Sequence, residues 1–297
     1  MRDNQYPGRS VVMSTRGMIA TSQPLATQAG LAVLQNGGNA MDAAIAASAV
    51  LCVAEPQATG IGGDCFLLYH EARTGKLHGL NGSGRAPARA TLEEFERRGL
   101  MQVPEFGILS VLVPGAVDAW QTALERFGTR SLEELLQPAI AFAEDGYAVT
   151  PVVAKAWQNN AAVLAPHPES RRDFWVDGRA PVAGTVHRQP RLAQSLRQLA
   201  RGGRDAFYQG AIAEEIVRFS HAHDGLFELE DFAVYRSEWV EPICTDYHGV
   251  RVYEIPPNGQ GITALMTLNI LAHADLRGLA HLSADHLHLF IEAFKLA

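Results

Sequence analysis

Cysteine is scarce in this sequence, with three residues in 297, at Cys52, Cys65 and Cys244. An odd count without CxxC spacing argues against a disulfide framework and against a structural zinc site. Cys52 lies in an apolar run, as an inert buried thiol would. None of the three has a neighbouring base that would activate a cysteine nucleophile. Positive charge is also in short supply: 25 Lys and Arg face 32 Asp and Glu, a formal net charge of −7. No stretch concentrates the cations that a phosphate backbone demands, and Arg171-Arg172 is offset by Glu169 and Asp173. Nucleic acid is not an expected partner. Long hydrophobic runs are missing too; nothing approaches the roughly 20 apolar residues of a membrane span. Pro7, Gly8, Arg9 and Arg16 interrupt every candidate leader segment. These absences predict no membrane partner and a cytoplasmic chain. There is no GxSxG elbow and no P-loop, and Gly60, Gly62 and Gly63 do not follow dinucleotide-binding spacing. No cofactor is implied.

What is present is 47% hydrophobic and 19% charged, a globular composition. A chain of this size buries roughly 75% of its unfolded surface. The length is compatible with two domains or with one large α/β layer structure. There are no internal repeats and no low-complexity linker, so residues 1–297 read as a single region. Helical and strand-like patterns both occur.

Pro24 is suited to open a helix, with Ala26, Ala29, Leu31, Val33 and Leu34 at helical spacing and Gly37-Gly38 closing it. Asn39 is an N-cap with Asp42 three residues on. The run AMDAAIAASAVLCVAEP that follows is small and apolar nearly all round, so its helix belongs between layers. A strand is expected around 65–70, a turn at 73–76 and a return strand after it. Thr91/Glu94 and Ser131/Glu134 read as capping boxes, and Pro138 is expected to bend or break the second helix. Further helices are expected over 190–200 and 206–222, and a strand-like stretch over 238–254. The turn PPNGQG at 256–261 leads into an apolar helix. Ser283 caps a last helix that stops at Ala297 with no glycine, proline or polar tail. A complete domain rarely ends so.

Seven blocks, in order, resemble the γ-glutamyltransferase family, which also contains glutaryl/cephalosporin acylases. They are residues 17–68, APARA at 86–90, VPGAVDAW at 113–120 and LLQPAIAFAEDGY at 135–147. DAFYQGAIAEEI at 205–216, DGLFELEDFAVY at 224–235 and YHGVRVYEIPPNGQG at 247–261 complete the set. The resemblance implies an α+β fold, the αββα sandwich of N-terminal-nucleophile hydrolases. It also implies a precursor that cuts itself into a large and a small subunit, the latter led by a catalytic threonine. That residue's own α-amine is the base that makes its hydroxyl nucleophilic, and backbone N–H groups hold the oxyanion. In the family this threonine lies beyond the helix that ends at Ala297. The sequence has no Thr-Thr pair, and Arg2 would follow the initiator Met1, so the chain alone is expected to be inactive. The implied partners are a small subunit from the same precursor and a small γ-glutamyl or acyl-amide substrate.

Substrate-binding candidates follow from the same alignment. Family members that prefer γ-glutamyl groups carry an arginine in a block like REMAPAKA, where its fork clamps a carboxylate. Here Ser83 stands at that arginine's position and Arg85 two residues later, so a different short acid amide fits equally well. An ordinary turn around Gly82 and Gly84 is the plain alternative. His288 and Glu292 share a helix face, but His286 does not, so no metal site is expected. PPNGQG resembles an element near the family's subunit junction, and a plain connecting loop explains it as well.

Overall fold

The computed structural model describes residues 11–297. The readings placed on Arg2, Pro7, Gly8 and Arg9 lie outside the described residues. Helices α1 (Pro24–Gln35) and α2 (Ala40–Ala54) come first, then strands β1 (Cys65–Glu71) and β2 (Lys76–Gly82). Helices α3 (Leu92–Arg97), α4 (Ala116–Phe127) and α5 (Leu132–Asp145) follow, then the short β3 (Tyr147–Ala148). Next are α6 (Pro151–Asn159), α7 (Ala161–Leu164), α8 (Pro168–Phe174), β4 (Val186–His187), α9 (Pro190–Tyr208), α10 (Ala211–Ala222) and α11 (Leu229–Ala233). Strands β5 (Glu238–Val240), β6 (Ile243–Tyr247) and β7 (Val250–Glu254) precede α12 (Gly261–Leu271) and α13 (Ala284–Leu296). The described sheets run β1-β2-β5, β3-β4 and β6-β7, and every pairing is antiparallel.

The chain divides into two compact units. One contains the residues up to Gly60 together with Leu124–Gly203, the other Ile61–Ala123 together with Arg204–Ala297.

The first unit is organised around α2, with eleven of its fifteen residues buried. Its small side chains let α1 pack close: a Cβ at Gly30 would come within 2.9 Å of the Ala43 carbonyl. Burying Ile45, Val50 and Val53 contributes about 1.5–3 kcal/mol each. The predicted cap forms as a full capping box between Asn39 and Asp42. Asp42, 0% exposed, also accepts from Thr129 N (2.8 Å), Thr129 Oγ1 (2.5 Å) and Arg130 N (3.2 Å), tying α2 to the turn before α5. Burial pushes the Asp42 carboxyl up, but the Thr129 hydroxyl and the backbone N–H groups outweigh it and leave the pKa lowered.

Ser131 caps α5 by accepting from Glu134 N at 3.2 Å. Of the bend or break expected at Pro138, the break does not occur: the helix runs continuously through it. Leu135, Leu136, Ala139 and Ile140 are buried around that proline. Their packing against α2 holds the helix where local propensity would end it. Behind α6, His187 is 2% exposed, 4.9 Å from the Trp157 ring and 6.0 Å from the Tyr147 ring, and neither ring nitrogen has a hydrogen-bond partner. Burial lowers its pKa to about 4.

In the second unit the predicted hairpin forms in full register from Cys65↔Gly82 to Glu71↔Lys76. The long strand expected over 238–254 resolves into three short ones. Pro242 has no N–H for a ladder, so β5 ends at Val240 and pairs with β2, Asn81 opposite Glu238. His248 (φ 49°) and Gly249 (φ 83°) then turn the chain, folding β6 and β7 into their own hairpin. The helices expected over 190–200 and 206–222 share a different boundary. Helix α9 continues past a break at Gly203 (φ 57°, ψ −149°) to Tyr208, and α10 begins at Ala211. Among the described residues no helix is long and apolar enough to cross a membrane.

Candidate active-site cleft

The cleft is built at the end of β2, where two stretches of backbone pass very close. A Cβ on Gly115 would fall 2.0 Å from the Gly82 carbonyl oxygen, and one on Gly84 would fall 2.1 Å from that of Val113. Only glycine permits this approach. Gly82 is therefore the last residue of a strand rather than part of a loose turn. The Gly63 carbonyl accepts from Gly115 N (3.0 Å) and Ala116 N (2.9 Å), satisfying orphan donors at the start of α4. Asp64 Oδ1 accepts from Gly84 N at 3.0 Å. The strand end, the glycine-rich turn and the helix start are thus locked together.

Beneath the cleft lies a buried polar cluster. Asp118 of α4, 1% exposed, forms an ion pair with Arg204 and accepts from Ser237 N (2.6 Å) and Ser237 Oγ (2.5 Å). Arg204 also donates to the Tyr235 carbonyl at 2.5 Å. Its guanidinium lies 4.6 Å above the Tyr208 ring, which stacks on Tyr235 at 5.6 Å. Tyr208 donates its hydroxyl to the Pro114 carbonyl at 2.7 Å. Tyr235 donates to the Ser83 carbonyl at 3.0 Å. Burial first, and then the Asp118 and Asp64 charges, push the Tyr235 phenol well above its ordinary range. It stays a donor throughout the physiological range.

The cleft itself has a volume of about 370 Å³ and is lined by Asn81, Ser83, Gly84, Arg85, Arg236, Glu238, Pro257 and Asn258. Ser83 and Arg85, the two residues singled out from the sequence, therefore face the same space. Ser83 Oγ accepts from Asn258 Nδ2 at 2.7 Å, Asn258 Oδ1 accepts from Asn81 Nδ2 at 3.1 Å, and Asn81 Oδ1 accepts from Ser83 N at 2.9 Å. These bonds form a closed ring. Arg85 is paired with Glu238, the two side chains being 72% and 58% exposed. A second, smaller cleft of about 260 Å³ shares Arg85, Arg236 and Glu238 and adds Ala86, Ala88, Val113, Asp231, Val234 and Tyr235. The APARA block is held beside it by Ala88 N donating to Asp231 Oδ1 (2.8 Å) and by the Arg89–Glu228 pair (2.7 Å).

Asn258 belongs to the PPNGQG turn, so that turn reaches the cleft as well as connecting elements. Arg236, Glu238, Asn81 and Asp118 were not singled out from the sequence. Asn81 and Glu238 become neighbours only through the β2–β5 register, a pairing of residues more than 150 positions apart. Elsewhere, Glu292 is bonded to Lys295 (2.8 Å) and His286 packs against His281 (5.5 Å). Among the described residues no three His, Cys, Asp or Glu are grouped to hold a metal. Cys52 is buried, and burial with the Asp64 charge pushes the Cys65 thiol up to about 11, out of the nucleophilic range.

The sequence profile described as Gamma-glutamyltranspeptidase matches residues 26–297. The chain is 39% identical to the glutathione hydrolase-like YwrD proenzyme of Bacillus subtilis (strain 168), covering 96% of the chain and 54% of that relative. Among solved structures, the cephalosporin acylase from Bacillus halodurans superposes with a TM-score of 0.87 at 43% identity, over 98% of this chain and 56% of that one. The Helicobacter pylori gamma-glutamyltranspeptidase gives a TM-score of 0.89 at 32% identity, over 96% and 83%. The chain spans about half the length of the curated relatives it matches.

Proposed function

The chain belongs to the gamma-glutamyltranspeptidase family, and on that premise we propose that it is the large-subunit part of a proenzyme that transfers or hydrolyses acyl groups from amides. The nucleophile in this reading is a threonine supplied by the remainder of the precursor, and this chain by itself is inactive. Residues 1–297 act as one region that contributes a wall of the acyl pocket. The relatives named as proenzymes are about twice as long, which supports a missing half. So do apolar side chains left exposed in the second unit: Phe66 and Leu68 on β1, and Leu287, Phe290, Ile291 and Phe294 on α13. Apolar surface of this kind is what a second subunit covers.

The observation that carries the reading is the cleft at the end of β2, where the block resembling the family's substrate-binding element places Ser83 and Arg85. The primary substrate class is a γ-glutamyl amide. A second reading, an acylase for another short acid amide, is favoured by Ser83 standing where a carboxylate-clamping arginine is found in γ-glutamyl enzymes. Arg85 is in addition already paired with Glu238.

Intact mass and a denaturing gel on the protein from its native source test the first part. A second chain that begins with threonine is expected; a lone species with no such chain would remove every catalytic assignment. Rates on γ-glutamyl and glutaryl anilides then separate the two substrate readings, and a clear preference for the γ-glutamyl anilide sinks the acylase alternative.

A further inference from the structure

The polar groups of the larger cleft are not equivalent once their partners are counted. Arg85 faces Glu238, so its charge is already compensated. Asn81 and Asn258 are engaged with each other and with Ser83. Ser83 Oγ accepts from Asn258, which leaves its own proton to donate. Arg236 donates through Nη1 to the carbonyls of Ala233 (2.9 Å) and Tyr235 (2.5 Å). Among the described residues no carboxylate lies within ion-pair distance of it. Two arginines and one glutamate line the larger cleft, with Asp231 in the adjoining one and Asp64 held on Gly84 N, and of the two arginines Arg85 is the one that is ion-paired. The two carbonyl bonds of Arg236 fix its guanidinium while using one of its three nitrogens, so the remaining N–H groups are available to an anion.

We propose that Arg236, with the Ser83 hydroxyl as second donor, is the carboxylate-recognition residue of this cleft and sets its preference for acid-bearing acyl groups. The role rests on the acyl-transfer reading above. Glu238 has the opposite effect: it holds Arg85 and repels an incoming anion, so it limits how tightly the carboxylate is held. An anion that took Arg85 instead would have to displace Glu238 and leave two negative charges side by side. Arg236 imposes no such exchange.

The test uses the full-length protein that carries this chain and two probes of equal length, glutarate and the neutral glutaramide. Calorimetric titration of the wild type is expected to show binding of glutarate in preference to glutaramide. Arg236→Met is expected to weaken glutarate about ten- to hundredfold while leaving glutaramide unchanged, since one charge-assisted contact is lost. Arg236→Lys, which keeps the charge but not the planar fork, should fall between. Glu238→Gln should tighten glutarate about two- to fivefold. That gain does not depend on the Arg236→Met protein folding. Equal affinities of the wild type for the two probes would overturn the proposal. So would an Arg236→Lys protein that binds like wild type together with a Glu238→Gln protein that shows no gain. Steady-state hydrolysis of glutaryl anilide separates the two levels. Turnover with a KM indifferent to position 236 sinks the role of Arg236 and leaves acyl transfer standing. Glutarate binding that depends on Arg236, without turnover of any acyl amide, leaves the site and removes the reaction.

Discussion

At the scale of single residues, two buried side chains govern how this protein responds to acid. His187 has an ordinary pKa near 6.5 when unfolded and about 4 in the fold. The unfolded chain therefore binds the extra proton between those values, and stability rises with pH across that window. Lowering pH from about 6.5 towards 4 is expected to remove up to roughly 3 kcal/mol. His187→Phe should abolish that slope in urea titrations without loss at pH 7, because it removes two unpartnered nitrogens from an apolar site. An unchanged slope would refute the assignment. Asp42 is depressed instead, so its contribution is present above the ordinary carboxylate range and is lost only as pH falls through its lower folded value. Asp42→Asn replaces one of two acceptor oxygens by an NH2 donor, so either Asn39 N with Thr129 Oγ1 or Thr129 N with Arg130 N loses its acceptor, and the change is expected to cost about 2–4 kcal/mol in urea midpoint measurements. The Asn39–Asp42 cap was legible in the sequence because it is a three-residue spacing. The Thr129 contacts were not, since they join positions 87 apart.

At the scale of elements, local chemistry was decisive where caps and periodicity agree, as in α1, α2, the β1–β2 hairpin and α13. It misled where packing overrides propensity. Pro138 forfeits the hydrogen bond to the Glu134 carbonyl inside α5, yet the helix continues because both flanks are buried. Pro138→Ala restores that bond and is expected to stabilise the protein by about 1–2 kcal/mol after the entropy returned to the unfolded chain. A higher melting temperature would bear this out, and a lower one would show that the ring itself fills the core. Helix α4 was readable in principle, from Ala116, Val117, Trp120, Ala123 and Leu124, all of which are buried. Helices α6 to α8 carry only short, broken apolar patterns. The strand break at Pro242 and the His248-Gly249 turn lay within a run whose apolar alternation masked them.

At the scale of the whole molecule, the cleft depends on the cluster below it. Asp118→Ala leaves the partly buried Arg204 with only the exposed Asp205 as a carboxylate partner, orphans Ser237 N and leaves Ser237 Oγ with Thr122 Oγ1 alone, with an expected cost of about 2–4 kcal/mol. It should also raise KM for any acid-bearing amide, since Ser237 lies between Arg236 and Glu238. Denaturation and kinetics on the same variant check both effects, and a stable variant with unchanged KM would show that the cluster does not support the site. The sequence by itself determined the family, the mixed α+β class and the buried α2, and it nominated Ser83 and Arg85 as candidates, because each is written in contiguous blocks or short spacings. Only the tertiary structure decided that Arg85 is paired with Glu238, that Ser83 is ringed by Asn81 and Asn258, and that Arg236 has no carboxylate within ion-pair distance among the described residues. Those facts depend on strand register and on contacts between residues 150 or more positions apart, and a linear pattern does not encode which distant charges will meet.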